Sequence, residues 1–196
     1  ANHDFADLRP YVNKYHIHPF QPLALFDSPF GRLNQVIRYL NLKRLEKIAA
    51  QMARMIEAGS YDIVYVHPCQ FWNSPPLLRH LPRAKTVFYC QEPLRIAYET
   101  MPGRPYDLDP SGRRQLLNRI DPLPGFYQSF LRRNEKRNIH QAGRVLVNSE
   151  FIRSSVRQIY QLEAQTCYLG VDAEKFKPLQ TAKEGFVLSV GSLTPL

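Results

Sequence analysis

Polar residues and glycines follow five apolar segments of this 196-residue chain, and their types and spacing favour a ligand site. The segments are DIVYV (62–66), KTVFYC (85–90), RVLVN (144–148), TCYLG (166–170) and FVLSVG (186–191). The residues at their ends are His67, Gln91, Glu92, Asn148, Ser149, Gly170, Asp172, Gly191 and Ser192. In an open parallel sheet, ligands bind in the crevice beyond the carboxyl ends of the strands. Turn residues are polar or glycine in any protein, so a purely structural role stays open here.

The five segments are apolar throughout, whereas a strand with one wet face alternates in polarity. Continuous apolar runs are typical of strands in a sheet that is covered on both faces. Helical patterns lie between several of the segments, and the rhythm of strand, helix and strand indicates right-handed crossovers. We therefore predict an α/β fold with a doubly wound, Rossmann-like parallel sheet.

The helices that join these strands have recognisable ends. Apolar residues recur at three- and four-residue steps within 33–56, and Gly59 would end that helix. Asn148 or Ser149 would cap a second helix. That helix should bury Phe151, Ile152, Val156 and Ile159. Ser74, with Pro75 and Pro76 after it, would start a shorter helix.

Composition narrows the class of protein. Hydrophobic residues make up 44% and aromatic residues 12% of the chain, which is typical of a globular protein. The three cysteines include no C-x-x-C pair, so they indicate neither a zinc site nor a disulfide framework, and a reducing cytosol fits them. His16 and His18 resemble a metal-binding pair, but no third ligand lies nearby in sequence. No apolar stretch reaches the roughly 18 residues that span a bilayer.

Positive charge is concentrated in the middle of the chain. The net charge is +9, and more than half of this excess lies in 95–144. Segment 126–142 should form a helix with apolar residues on one side and a basic face on the other. The apolar side has Tyr127, Phe130, Leu131, Ile139 and Ala142, and the basic face has Arg132, Arg133, Lys136 and Arg137. A solvated helix face explains this pattern, and an anionic membrane surface is the functional alternative. The proline-rich segment 99–125 before it would be a functional or disordered loop. No sequence-specific nucleic-acid motif is present.

Several motifs carry a family resemblance. RVLVNSEFIRSSVRQIY, YLGVDAEKFKP and FVLSVGSLTP resemble the junction between the two domains of family-four retaining glycosyltransferases, which use nucleotide sugars and have the GT-B fold. YDIVYVHP and VFYCQEPLR resemble two preceding strands of the acceptor domain in that family. The resemblance covers about residues 33–196. It implies an acceptor-binding, Rossmann-like domain over 1–183, with the first βα unit before Ala1, and the first strand of a donor-binding domain over 184–196.

The resemblance also implies roles for the residues at the strand ends. Glu92 and Gln91 would be catalytic, since Gln91 stands where relatives often have a histidine and Glu92 is the nearer base. His67 and Arg95 would face the acceptor. Asn148, Ser149, Gly170, Gly191 and Ser192 would line the cleft for a nucleoside diphosphate sugar, with Ser192 at the family's arginine position.

The implied reaction needs neither a metal nor another cofactor, because cationic side chains can stabilise the diphosphate leaving group. The acceptor would be a glycan or a lipid-linked molecule, at a cytoplasmic location that includes the cytosolic membrane face. The main donor-phosphate residues would follow Leu196, so residues 1–196 alone should not transfer sugar.

Alternatives exist both for the whole protein and for single residues. One is a GT-B isomerase that acts on a sugar nucleotide. Another is a non-catalytic α/β binding module. At the level of single residues, Glu92 would pair with Arg95 for purely structural reasons, and Ser149 would serve only as a helix cap.

Overall fold

The computed structural model describes residues 9–27, 33–69, 71–99 and 120–177, together with Gly185 and Val187. The elements in chain order are α1 (Asn34–Ala58), β1 (Val64–Val66), β2 (Thr86–Cys90), α2 (Arg95–Tyr98), α3 (Leu123–Ile139), β3 (Arg144–Val147), α4 (Glu150–Tyr160) and β4 (Gln165–Thr166). Short 3₁₀ helices lie at Arg9–Tyr11, Pro76–His80 and Arg83–Lys85. The predicted strand at 186–191 lies outside the described residues except for Val187, which is exposed. Most of the predicted loop 99–125 also lies outside them.

The four strands form one parallel sheet in the order β1-β2-β3-β4. Val66 pairs with Phe88, and Cys90 pairs with Val147. This confirms the prediction of an α/β fold with a parallel sheet. β4 is shorter than predicted and lies earlier in the chain, because only Gln165 and Thr166 pair with β3.

The main core covers one face of the sheet. Alternate strand residues on this face pack against the 3₁₀ helix Pro76–His80, α3 and α4. These strand residues are Val66, Phe88, Cys90, Val145 and Val147. Successive strands lie side by side in sequence order. Because each crossover between them is right-handed, the connecting helices all lie on the same side of the sheet. On the other face Tyr65 is 51% exposed, although Tyr89 of β2 is buried there. Among the described residues, the main core cluster therefore covers one face. The doubly wound arrangement, with helices on both faces of the sheet, stays a prediction.

A second cluster holds α1 against the rest of the molecule. Leu42 of α1, Leu131 of α3, Trp72 and Ala97 are buried together. The long apolar pattern predicted this helix, and its end near Gly59 is confirmed. The left-handed residue there is Ser60, with a φ of 50°, whereas Gly59 stays right-handed at −79°.

The other predicted helix ends have mixed outcomes. Ser149 caps α4 by accepting a hydrogen bond of 3.3 Å from the Ile152 N–H, as predicted. Val156 is fully buried, but Phe151 is 78% exposed, so its predicted burial is wrong. Ser74 is not a helix cap, because Pro75 occupies that position and Ser74 contacts α3 instead.

Candidate functional site at the carboxyl edge of the sheet

The carboxyl edge, defined here by Gln91, Glu92, Asn148 and Ser149, joins the ends of β2 and β3. The Asn148 side-chain amide donates a hydrogen bond of 3.1 Å to the Gln91 carbonyl. The Ser149 hydroxyl donates to Asn148 Oδ1 at 3.0 Å and so orients the amide. Because the two strands are parallel neighbours, their ends meet here and the structure brings these predicted residues together.

The backbone of Glu92 is held from two directions, and its side chain is exposed. The Asn73 amide donates to the Glu92 carbonyl at 3.2 Å, and the Cys90 thiol lies 3.6 Å from the same oxygen. Burial raises the pKa of the Cys90 thiol to about 12, which keeps it protonated as a donor. These contacts fix the main chain and leave the carboxylate exposed at the surface.

Arg95 does not use Glu92 as its ion-pair partner. Its guanidinium Nε lies 2.9 Å from Glu99 Oε2, one helical turn further along the chain. This hydrogen bond, with the charge of Glu99, raises the pKa of the Arg95 guanidinium, and Glu92 adds a smaller contribution. The predicted structural pair between Glu92 and Arg95 is therefore wrong, and both side chains are exposed.

His67 lies with aromatic residues rather than with the carboxyl edge. Its ring centroid is 4.7 Å from that of Tyr65 and 5.9 Å from that of Tyr89. The Tyr89 hydroxyl donates to the Cys167 carbonyl at 3.1 Å. These residues lie on the less covered face of the sheet. Among the contacts of the described residues, none joins His67 to Gln91 or Glu92.

The residues that follow β4 are not gathered into the carboxyl edge by a described contact. Asp172 accepts hydrogen bonds from the N–H groups of Glu174 and Lys175, so it organises a local turn. A Cβ added at Gly170 would meet no heavy atom within 4 Å, and Gly170 has no positive φ. Neither a turn conformation nor close packing therefore requires a glycine there. Gly191 and Ser192 lie outside the described residues.

Glu135 is the residue near this edge that the sequence analysis missed. It is fully buried, and both carboxylate oxygens lie 3.1 Å from the Ser74 backbone nitrogen. Asn138 donates to the Ser74 carbonyl at 2.7 Å. Asn73, the residue before Ser74, donates to the Glu92 carbonyl. Side chains of α3 thus fix the segment that supports the backbone of Glu92.

Burial is the main influence on the pKa of Glu135 and on those of two tyrosines near it. Burial raises the pKa of the Glu135 carboxyl to about 7, while the hydrogen bonds from the Ser74 N–H oppose that shift. Burial, followed by the nearby Glu135 charge, raises the pKa of the Tyr98 hydroxyl to about 12. The same causes raise the pKa of the buried Tyr160 hydroxyl. A signal was present in the sequence, since Leu131, Glu135, Asn138 and Ala142 follow each other at helical spacing.

The basic face of α3 forms an open cleft of about 640 Å³ with Tyr98 and Ile159. The cleft is lined by Arg132, Arg133, Lys136, Arg137 and His140. The predicted two-sided pattern of this helix is confirmed, since Leu131 and Ile139 are buried and the four predicted cations are exposed. Arg132 donates to the Ala97 carbonyl. In the described part of the chain, Arg133, Lys136 and Arg137 form no ion pair.

A search of the described residues finds no group of three or more His, Cys, Asp or Glu that could hold a metal ion. His16 and His18 instead line a small cavity of about 150 Å³ with Met52, Met55, Ile56 and Tyr61. None of the described helices is long and apolar enough to cross a membrane.

The fold and the site define an α/β protein whose parallel strands end at a polar, accessible edge. Comparison with models of protein families, with curated proteins and with solved structures finds no match to this chain.

Proposed function

We propose that this chain is the acceptor-binding part of a GT-B glycosyltransferase. The enzyme transfers a sugar from a nucleoside diphosphate donor to a hydroxyl of a glycan or lipid-linked acceptor. The observation that carries the proposal is the carboxyl edge, where Asn148 ties the end of β3 to Gln91 beside the exposed Glu92. The sequence resemblance around these same residues adds the reaction class.

The order of the strands supports the finer fold in this proposal. In a doubly wound, Rossmann-like sheet, strands on one side of the reversal point follow sequence order, as β1 to β4 do here. Ligands of such sheets bind outside the carboxyl ends of the strands. The N-terminal half of a GT-B fold has this architecture and places its acceptor there.

Each residue of the edge has a role in the proposed reaction. Glu92 accepts a proton from the acceptor hydroxyl as the new bond forms. Gln91 and Arg95 hydrogen-bond the acceptor, and Asn148 keeps the Gln91 backbone in place. The N-terminus of α4, capped by Ser149, directs N–H groups and positive potential towards the donor phosphates. Residues of the donor-binding half stabilise the leaving diphosphate.

Replacing Glu92 with glutamine should lower kcat about a hundredfold with little change in KM, because glutamine keeps the size but cannot accept the proton. The measurement is release of nucleoside diphosphate by the product of the complete coding region, with a panel of donors and acceptors. Glu163→Gln is the matched control, since Glu163 is an exposed carboxylate that forms an ion pair with the exposed Arg157. A Glu92→Gln enzyme with wild-type kcat would exclude Glu92 as the base.

An anionic membrane surface is the partner that the basic cleft favours. Arg133, Lys136 and Arg137 are exposed on one helix face, and each cation near an anionic bilayer strengthens binding. Replacing all three with glutamine should weaken binding to anionic vesicles about a hundredfold. Flotation with anionic and neutral vesicles measures this effect. The control replaces Arg44, Lys47 and Arg54, which are exposed on α1. Equal recovery with both vesicle types would rule out this partner.

A further inference from the structure

An apolar cavity of about 620 Å³ opens beside the chain that follows β2. Leu94 and Ile96 form one wall, and they follow Glu92 in the same short stretch. Leu42 of α1 and Leu131 of α3 form the wall next to the buried core. Cavities of this size with a mainly apolar lining are typical of small-molecule sites.

The chain before α1 contributes residues 22–25 to the outer wall of the cavity. Two asparagines of α1 bind its backbone with their side-chain amides. Asn41 accepts from the Leu23 N–H at 2.8 Å and donates to the Leu23 carbonyl at 3.4 Å. Asn34 binds Phe26 in the same way, at 2.7 and 3.0 Å. Because α1 satisfies these backbone groups, the segment is held as a wall instead of collapsing into the cavity.

Arg38 is the charged residue that lines the cavity. It is exposed, and it lies near the Tyr127 hydroxyl, whose pKa is raised by burial and lowered by the Arg38 charge. No described carboxylate lines the cavity. The cavity thus has an apolar interior and a cationic rim, on the same side of the molecule as the chain that carries Glu92.

We propose that this cavity binds the hydrocarbon chain of an alkyl phosphate, with the phosphate at Arg38. The inference rests on the proposed function, because the alkyl phosphate is then the lipid carrier of the sugar acceptor. The chain lies among Leu42, Leu94 and Leu131. Guanidinium groups suit phosphate because they present parallel donors to two oxygens.

Fluorescence of Trp72, the single tryptophan of the chain, gives a direct test. Trp72 is fully buried and packs with Leu42 and Leu131, which line the cavity. Dodecyl phosphate with bromine on its terminal carbon should quench this fluorescence saturably, because a heavy atom quenches an indole only at short range. Dodecyl phosphate without bromine should compete for binding and should not quench. Absence of saturable quenching would overturn the proposal.

Two variants with matched controls separate the chain from the phosphate. Ala24 lines the cavity, so Ala24→Phe should fill it and abolish quenching, whereas Ala84→Phe, at an exposed position outside it, should not. Arg38→Gln should weaken binding of the bromoalkyl phosphate about fivefold and leave bromododecyl maltoside unaffected. Arg54→Gln is the control on the same helix. If Arg38→Gln bound the bromoalkyl phosphate as tightly as wild type does, the assignment of the phosphate to Arg38 would be overturned.

The outcomes distinguish this inference from the proposed function. Quenching needs no sugar donor, so an inactive glycosyltransferase would still show it if the cavity binds the alkyl chain. An active enzyme without quenching would refute the cavity and leave the proposed transfer intact. Competition by inorganic phosphate alone, at equal affinity, would show a site for the headgroup only and would also refute the inference.

Discussion

We expect the free energy of unfolding of the wild-type protein to fall by about 3 kcal/mol between pH 4.5 and 7, and we expect Glu135→Gln to abolish this fall. Burial raises the pKa of Glu135 from 4.5 to about 7 in the folded chain. Below pH 4.5 the carboxyl is protonated in both states, and its full contribution to stability is present. As the pH rises towards 7, the unfolded chain releases the proton while the folded chain retains it. The free energy of unfolding therefore falls through this range and levels off above pH 7.

Urea unfolding of wild type and Glu135→Gln at pH values below 4.5 and above 7 measures this difference. The glutamine variant should gain stability relative to wild type as the pH rises. Glu163→Gln, at an exposed carboxylate, should follow the wild-type profile. Parallel profiles for wild type and Glu135→Gln would contradict the expectation. Glu135→Ala should instead lose roughly 2 to 4 kcal/mol at every pH, because it leaves the Ser74 N–H unpaired beside a void.

The second large effect is expected at Gly143, just before β3. A Cβ at this position would lie 1.8 Å from the Arg83 carbonyl oxygen and 2.8 Å from that of Thr86. Both neighbours are backbone atoms, so relief requires the starts of β2 and β3 to separate. That movement would also disturb the hydrogen bond of 2.9 Å from the Gly143 N–H to Thr86 Oγ1. Gly143→Ala should therefore lower the free energy of unfolding by about 3 kcal/mol.

Two other glycines serve as controls for this measurement by urea unfolding. A Cβ at Gly125 or Gly170 would meet no heavy atom within 4 Å. Gly170→Ala should leave stability nearly unchanged. Gly125→Ala, within α3, should raise stability by up to about 1 kcal/mol, because alanine loses less backbone entropy in a helix. Similar losses for all three variants would show that close packing at Gly143 is not the cause.

Glu135 also links the stability of the core to the candidate site. Its contacts fix Ser74, and the neighbouring Asn73 supports the backbone of Glu92. A protonated carboxyl has one oxygen fewer to accept from the Ser74 N–H. The effect of a substitution at Glu135 should therefore be measured on both stability and activity. A purely structural role of Glu135 is sufficient to explain a loss of both.

Local chemistry was sufficient to predict several elements. The apolar runs located β2 and β3 to within one residue, because continuous burial needs continuous apolar sequence. Ser149 was predicted as a helix cap from its type and place, since a cap depends only on nearby N–H groups. The same prediction of strand ends located Gln91 and Glu92 after β2, and Asn148 and Ser149 after β3.

Contacts between distant residues explain the failures. The predicted burial of Phe151 depended on an element covering that side of α4, and no such cover appears among the described residues. β4 ends at Thr166 because only two of its residues find partners on β3. Arg95 selects Glu99 because a turn of helix brings the two together, and the sequence order of charges alone did not distinguish Glu99 from Glu92.

The amino-acid sequence by itself determined the parallel α/β class, the C-terminal end of α1 and the start of α4, because periodicity and capping act within a few residues. Only the tertiary structure decided that Glu135 is buried against Ser74, that His67 joins Tyr65 and Tyr89, and that residues 22–25 line an apolar cavity. Each of these depends on residues far apart in the chain, whose approach is set by the packing of helices on the sheet.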